Sequence, residues 1–149
     1  RGAMSGSYER PWTPKHRYTV LVLDDDRAML ETLVAMLEPF HFVVGTSEPS
    51  LALAYLAERS FHVVVADWMM PTMDGVEFFQ RVGALEKPVT CLLISGRLEE
   101  LGAEVCREHR RMIGLLAKPF SERQLLERVE QLGRLASMKQ QVTKLKGTG

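Results

Sequence analysis

Two cysteines, Cys91 and Cys106, are all that 149 residues contain. They lack CxxC spacing and sit in apolar or helical contexts, so they read as free thiols in a reducing compartment, not as a disulfide or metal framework. No run of about 18 apolar residues exists, so no helix of the chain is expected to span a membrane. No paired n-region and h-region opens the sequence, and no secretory signal is expected. Formal net charge is zero, which argues against a nucleic-acid surface. No internal repeat or low-complexity tract interrupts the chain. The four histidines, His16, His41, His62 and His109, show no ligand spacing; His41 and His62 open apolar segments and read as structural or solvated. Met69, Met70 and Met73 read as turn and core-edge packing.

What is present is a repeated motif of apolar runs ending on polar residues. Val20-Leu21-Val22-Leu23 runs into Asp24-Asp25-Asp26, and Val65-Ala66 into Asp67. Leu92-Leu93-Ile94 ends at Ser95-Gly96, and Ile113 to Ala117 ends at Lys118-Pro119. The strand candidates are Thr19–Leu23, His41–Val44, His62–Ala66, Thr90–Ile94 and Met112–Ala117. Strands with one wet face alternate, whereas near-continuous apolar runs suit a parallel sheet covered on both faces.

Helical periods lie between these strands. Leu30, Leu33, Val34 and Leu37 form one stripe, stopped by Pro39. Pro49 suits a first helical turn ahead of Leu51–Glu58. Asp74 is a cap candidate for a helix carrying Val76, Phe79 and Val82. Leu98, Leu101 and Val105 form a narrower stripe. Ser121, three residues before Gln124, is a cap candidate for a helix with Leu125, Val129 and Leu132. Alternating βα units imply right-handed crossovers and a doubly wound α/β sheet of five parallel strands. The last helical pattern runs on through Leu135, Met138, Val142 and Leu145, an a/d register of barely a heptad and a half. A short coiled coil and a frayed amphipathic tail both fit it.

Ligands of open α/β sheets bind beyond the carboxyl ends of strands, where strand order reverses. In the common doubly wound order 2-1-3-4-5, which the sequence itself does not fix, strands 1 and 3 would be neighbours there, and Asp24, Asp25 and Asp67 would converge. Two carboxylates ~4 Å apart repel by about 4 kcal/mol at an effective dielectric near 20. A cation relieves this, and an all-oxygen site with open positions suits Mg²⁺. Ser95 and Lys118 supply a hydroxyl and an ammonium, the groups a phosphoryl group on Asp67 would recruit. A carboxylate is a competent phosphoryl acceptor. Each piece alone has a plain reading: Asp-Asp-Asp as a turn with a helix cap, Ser-Gly as a loop, Lys-Pro as a strand exit. Their occurrence at the ends of four strands in order is what singles them out.

The sequence from about Tyr18 to Leu135 resembles the receiver domain of bacterial two-component response regulators, the CheY-like (flavodoxin-like) fold with strand order 2-1-3-4-5. It carries that family's acidic pair, phosphoacceptor, hydroxyl and lysine. The resemblance implies that Asp67 accepts phosphate from a sensor histidine kinase or phosphotransfer protein. It implies Mg²⁺, or Mn²⁺, held directly by Asp25 and Asp67, by Asp24 mainly through water, and by the Met69 backbone carbonyl. Ser95 and Lys118 would contact the phosphoryl group, as would backbone N–H groups of Trp68, Met69 and Gly96. The Lys118–Pro119 bond would be cis. Such a domain is cytoplasmic, is not an enzyme beyond its own phosphorylation and dephosphorylation, and controls an output domain or effector outside this chain. The implied division is a tag scar and disordered lead-in over 1–17, the receiver over 18–135, and a helical extension or linker over 136–149, a possible homodimer contact.

The sequence departs from the family at two places, and two further residues flank the site entrance. Leu115 stands where an aromatic residue often rotates inward behind the hydroxyl. Arg107 to Arg111 replaces the usual stretch before the last strand. Met69 and Arg97 flank the site entrance and are expected to affect how fast water reaches the phosphoryl group. Two rival readings compete. A haloacid-dehalogenase-like phosphatase would use Asp24 as nucleophile and Asp26 as acid/base, but leaves the Asp67 motif unexplained. A binding module would keep the fold without the phosphorylation.

Overall fold

The structure, a computed structural model, describes residues 12–148 apart from 69, 71, 72, 74 and 98–112. Five parallel strands form one sheet in the order β2-β1-β3-β4-β5. They are β1 (Thr19–Leu23), β2 (Phe42–Thr46), β3 (Val63–Asp67), β4 (Thr90–Ser95) and β5 (Ile113–Ala117). Among the described residues the helices are α1 (Arg27–Leu37), α2 (Pro49–Glu58), α3 (Gly75–Ala84) and α4 (Glu122–Thr148). The expected stripe at Leu98, Leu101 and Val105, the cap at Asp74 and Cys106 lie outside the described residues.

Alternation along each strand sorts the side chains into two cores, because successive Cβ atoms point to opposite faces. Leu21, Leu23, Val64, Ala66 and Leu93 face α2 and α3, meeting Ala52, Leu56, Phe78, Phe79 and Val82. Val20, Val22, Val63, Val65, Leu92 and Ile94 face α1 and α4, meeting Leu33, Leu37, Leu125, Val129 and Leu132. Helices on both faces explain the continuous apolar runs of β3 and β4, buried at every position. Burying each such Val or Leu contributes about 1.5–3 kcal/mol.

Several boundaries differ from the sequence expectation for one reason: pairing continues past the last apolar residue. Asp67 pairs with Ile94 and Ser95 with Ala117, so both polar residues belong to the strands they were expected to follow. β2 slides to Phe42–Thr46, and His41, one residue before it, is buried. Gly45 tolerates this register because a Cβ there would sit 3.0 Å from Val34 Cγ2 on α1. Phe78, missing from the expected stripe, is fully buried on α3.

Helix ends follow local chemistry. Asp26 caps α1, its Oδ1 accepting from the Ala28 and Met29 N–H groups. Ser121 and Gln124 form the reciprocal capping box: Ser121 N–H donates to Gln124 Oε1 at 2.8 Å, and Gln124 N–H to Ser121 Oγ at 3.1 Å. α4 is 27 residues long, about 40 Å at 1.5 Å per residue. It stays on the domain past Leu132: Ala136 is buried, and Gln140 Nε2 donates to the carbonyls of Phe61 and Pro88. Met138, Val142 and Leu145 are exposed. The lead-in, expected to be disordered, makes contacts from Trp12 onward: Trp12 packs against the α1/α4 core and His16 pairs with Glu130.

Candidate functional site

Parallel register brings the chemistry to one edge. Leu23 lies level with Ala66, Asp67 with Ile94, and Ser95 with Ala117. The next residues of β1 and β5 are Asp24 and Lys118, so four strand ends deliver their polar residues side by side. Two backbone bonds carry the ladder into the loops: Asp24 N–H to Thr46 O at 3.2 Å and Lys118 N–H to Ser95 O at 2.9 Å.

One carboxylate oxygen from each of Asp24, Asp25 and Asp67 lies within 4.8 Å of the others. Asp24 and Asp67 are buried and Asp25 is exposed, giving the cluster a solvent-facing side. Asp24 Oδ1 accepts the Asp26 N–H at 2.9 Å, which turns the chain toward α1. Its Oδ2 is buried without a hydrogen-bond partner among the described residues. Burial, only partly offset by that N–H and reinforced by the Asp67 charge, pushes the Asp24 carboxyl up to about 6. Lys118 Nζ stands 3.4 Å from Asp67 Oδ2, an ion pair at the long edge of hydrogen bonding. The Lys118–Pro119 bond is cis.

Ser95 is buried, and its Oγ accepts the Arg97 N–H at 2.9 Å, which fixes the hydroxyl at the strand end. Trp68 N–H, expected to face a phosphoryl group, donates instead to Ile94 O at 3.0 Å, one further step of the β3–β4 ladder. Gly96 is exposed, with no atom of the described residues within 4 Å of where a Cβ would stand. Met69 lies outside the described residues. Asp26 is the residue whose role the sequence pattern left undivided: it caps α1 and so fixes the turn that presents Asp24 and Asp25. Leu115 packs half-buried against the α2/α3 core.

A divalent cation fits this cradle. The donors are all hard carboxylate oxygens, three like charges converge, and a buried oxygen has no partner. The arrangement is a carboxylate beside an ammonium and a hydroxyl at a sheet edge. That is the chemistry of a phosphoryl acceptor on a doubly wound fold.

Comparison with known proteins agrees. The family described as response regulator receiver domain matches residues 20–130, and the chain belongs to that family. A protein-glutamate methylesterase/protein-glutamine glutaminase of Pseudomonas savastanoi pv. phaseolicola is 34% identical over 94 residues, covering 61% of this chain and 26% of that protein. The transcriptional regulatory protein CpxR homolog of Haemophilus influenzae is 29% identical over 119 residues, covering 74% of this chain and 48% of its own length. The chain thus spans about half or less of these relatives. Among solved structures, the receiver domain of a Francisella response regulator superposes with a TM-score of 0.70 at 25% identity, covering 79% of this chain and 98% of that one. Nothing in these matches favours the haloacid-dehalogenase-like alternative. The geometry disfavours it too, because Asp26, its required acid/base, has its Oδ1 engaged as a helix cap.

Proposed function

We propose that Asp67 is the phosphoacceptor. An Asp67 carboxylate oxygen attacks phosphorus, the bond to the donor's leaving group breaks, and an aspartyl phosphate forms that water later cleaves. The donor is a sensor histidine kinase or phosphotransfer protein in the cytoplasm. The observation that carries this reading is the juxtaposition of three carboxylates within 4.8 Å with the Lys118 ammonium 3.4 Å from Asp67. Asp25 and Asp67 would hold Mg²⁺ or Mn²⁺ directly, Asp24 mainly through water, with the Met69 carbonyl as a further ligand. A bound cation supplies charge neutralisation for the phosphoryl oxygens. Lys118 pairs with the phosphoryl group, Ser95 donates its hydroxyl hydrogen to it, and the Gly96 N–H completes the contacts. Trp68 N–H joins them only by giving up Ile94 O.

The output is a domain or effector outside this chain, and the receiver acts as a switch for it. With Leu115 in the place of an inward-turning aromatic, α4 and its extension are the route outward. The exposed Met138, Val142 and Leu145 are the surface for a homodimer or an output partner. Light scattering with and without a phosphoryl mimic tests the dimer; identical monomer masses count against it. The Arg97 side chain at the entrance is expected to set hydrolysis, so Arg97→Ala changes the aspartyl-phosphate half-life.

The decisive experiment is covalent labelling by acetyl phosphate with Mg²⁺, followed by intact mass and by fluorescence. Trp68 is buried next to Asp67 and reports the site, while Trp12 is a half-buried background at the α1/α4 core. Beryllofluoride is expected to shift the Trp68 signal only after a divalent cation is added. Labelling that fails, or that survives Asp67→Asn unchanged, defeats the proposal.

A further inference from the structure

The opposite end of the sheet holds a second cluster of titratable groups that phosphoryl chemistry does not use. His41 stands one residue before β2, and His62 one residue before β3. His41 Nδ1 accepts the Tyr18 N–H at 3.1 Å, and His62 Nδ1 accepts the Thr19 N–H at 3.1 Å. The return bonds run from Phe42 N–H to Tyr18 O and from His62 N–H to Thr19 O, each at 2.9 Å. Two histidines therefore close the N–H groups of Tyr18, just before β1, and of Thr19, its first residue, onto the two neighbouring strands.

A backbone N–H only donates, so both Nδ1 atoms carry a lone pair and each neutral ring has its proton on Nε2. Protonating Nδ1 would set a donor against a donor and break the closure. His41 is 2% exposed; Glu130 on α4 favours its charged form, while Arg17 and burial oppose it, and burial dominates. Glu130 is itself bracketed by His16 at 3.0 Å and Arg134 at 3.8 Å. Burial likewise holds His62 below the ordinary imidazole range. Tyr18 is the aromatic wall between them, with ring centroids 5.9 Å from His41 and 5.1 Å from His62.

This closure reaches the outgoing helix. A Cβ at Gly133 would fall 2.4 Å from the Tyr18 ring, so that ring lies directly on the α4 backbone. Thr90 Oγ1 donates to one of two flanking carbonyls, His62 O at 3.1 Å or Leu132 O at 2.9 Å, again bridging the strand starts to α4. We propose that His41 and His62 form a proton-operated clamp: neutral, they lock the start of β1 and, through Tyr18, the seat of α4; protonated, they release it. The receiver thereby gains a pH input to its outgoing helix that is separate from the acidic site.

The sign follows from linkage. The folded state resists protons that the unfolded or opened chain takes up at about 6.5, so stability is full above that value and falls as pH drops below it. Asp24, held up at about 6 at the other end of the sheet, titrates in an overlapping range with the opposite sign, so the readout must be local. Hydrogen exchange on the intact chain, corrected for intrinsic rates, supplies one. Between about pH 7.5 and 5.5, the Tyr18 and Thr19 amides and the Val129–Ala136 segment are expected to lose protection, up to tenfold per pH unit for each proton taken up. Asn offers an Oδ1 in place of Nδ1 without titrating, so the double variant His41→Asn, His62→Asn should show a flat response. An equal loss in the double variant, or α4 protection that does not follow Tyr18, overturns the proposal. NMR of the wild-type rings decides it where the variant fails to fold: pKa values at or above about 6.5, or protons on Nδ1, refute the clamp.

Discussion

The two ends of the sheet solve opposite electrostatic problems. At the carboxyl ends of the strands, three carboxylates converge with one ammonium beside them. At the amino ends, a single buried carboxylate, Glu130, is flanked by His16 and Arg134, and two imidazoles serve as neutral acceptors. Both ends bury polar atoms without partners among the described residues: Asp24 Oδ2 at one, His41 Nε2 and Glu130 Oε2 at the other. The difference is the sign of what surrounds them. Like charges repel until a cation arrives, which makes a site; opposite charges compensate internally, which makes a joint. An unmet group therefore points to a ligand only when its neighbours share its charge.

Asp67→Asn should break the comparison most completely. Acetyl phosphate with Mg²⁺ should label the wild type with one phosphoryl group and leave this variant unlabelled by intact mass. Asp24→Asn comes next. It removes a buried charge that the Asp26 N–H and Lys118 only partly compensate, so urea unfolding without metal should show it more stable by about 1–3 kcal/mol at neutral pH. Its Mg²⁺ affinity, read on Trp68 fluorescence, should fall at least tenfold, about 1.4 kcal/mol.

Asp24 also sets a pH dependence. Its folded pKa is raised above the unfolded value, to about 6. The metal-free fold therefore gains stability from this group as pH falls through 6 and loses it as pH rises. Proton and cation compete for the same oxygens, so Mg²⁺ affinity should weaken below pH 6, and a titration showing equal affinity at about pH 5 and 7.5 would contradict that.

Gly133→Ala tests the other end. Its Cβ would meet Tyr18 Cδ2 at 2.4 Å, and overpacking of this kind costs about 1–3 kcal/mol in thermal or urea unfolding without affecting Mg²⁺ binding. Ser121→Ala is the smallest, about 1 kcal/mol from loss of the capping box, with labelling of Asp67 intact.

The acidic edge was legible because each of its residues ends an apolar run, and apolar runs are visible in one dimension. The α1 stripe, the Ser121–Gln124 box and the Pro49 start were legible for the same reason: their signals lie within a few turns of one local segment. The histidine joint was not. His41 and His62 touch residues 23 and 43 positions away, and neither has a spacing that announces a role. Gly133 carries no sequence signal of its own, yet it is the position at which Tyr18 docks. The docking of α4 by Gln140 onto the Phe61 and Pro88 carbonyls also joins distant segments.

By itself the sequence determined the alternation of strands and helices, the two-faced burial of the sheet and the set of polar residues at its carboxyl edge, since these follow from local periodicity and from where hydrophobicity stops. Only the tertiary structure decided which oxygens crowd together, that Asp24 Oδ2 has no partner among the described residues, and that two histidines close the start of the first strand onto its neighbours while Tyr18 lies on the last helix. Those depend on register between strands and on burial, which are set by the packing of the whole chain.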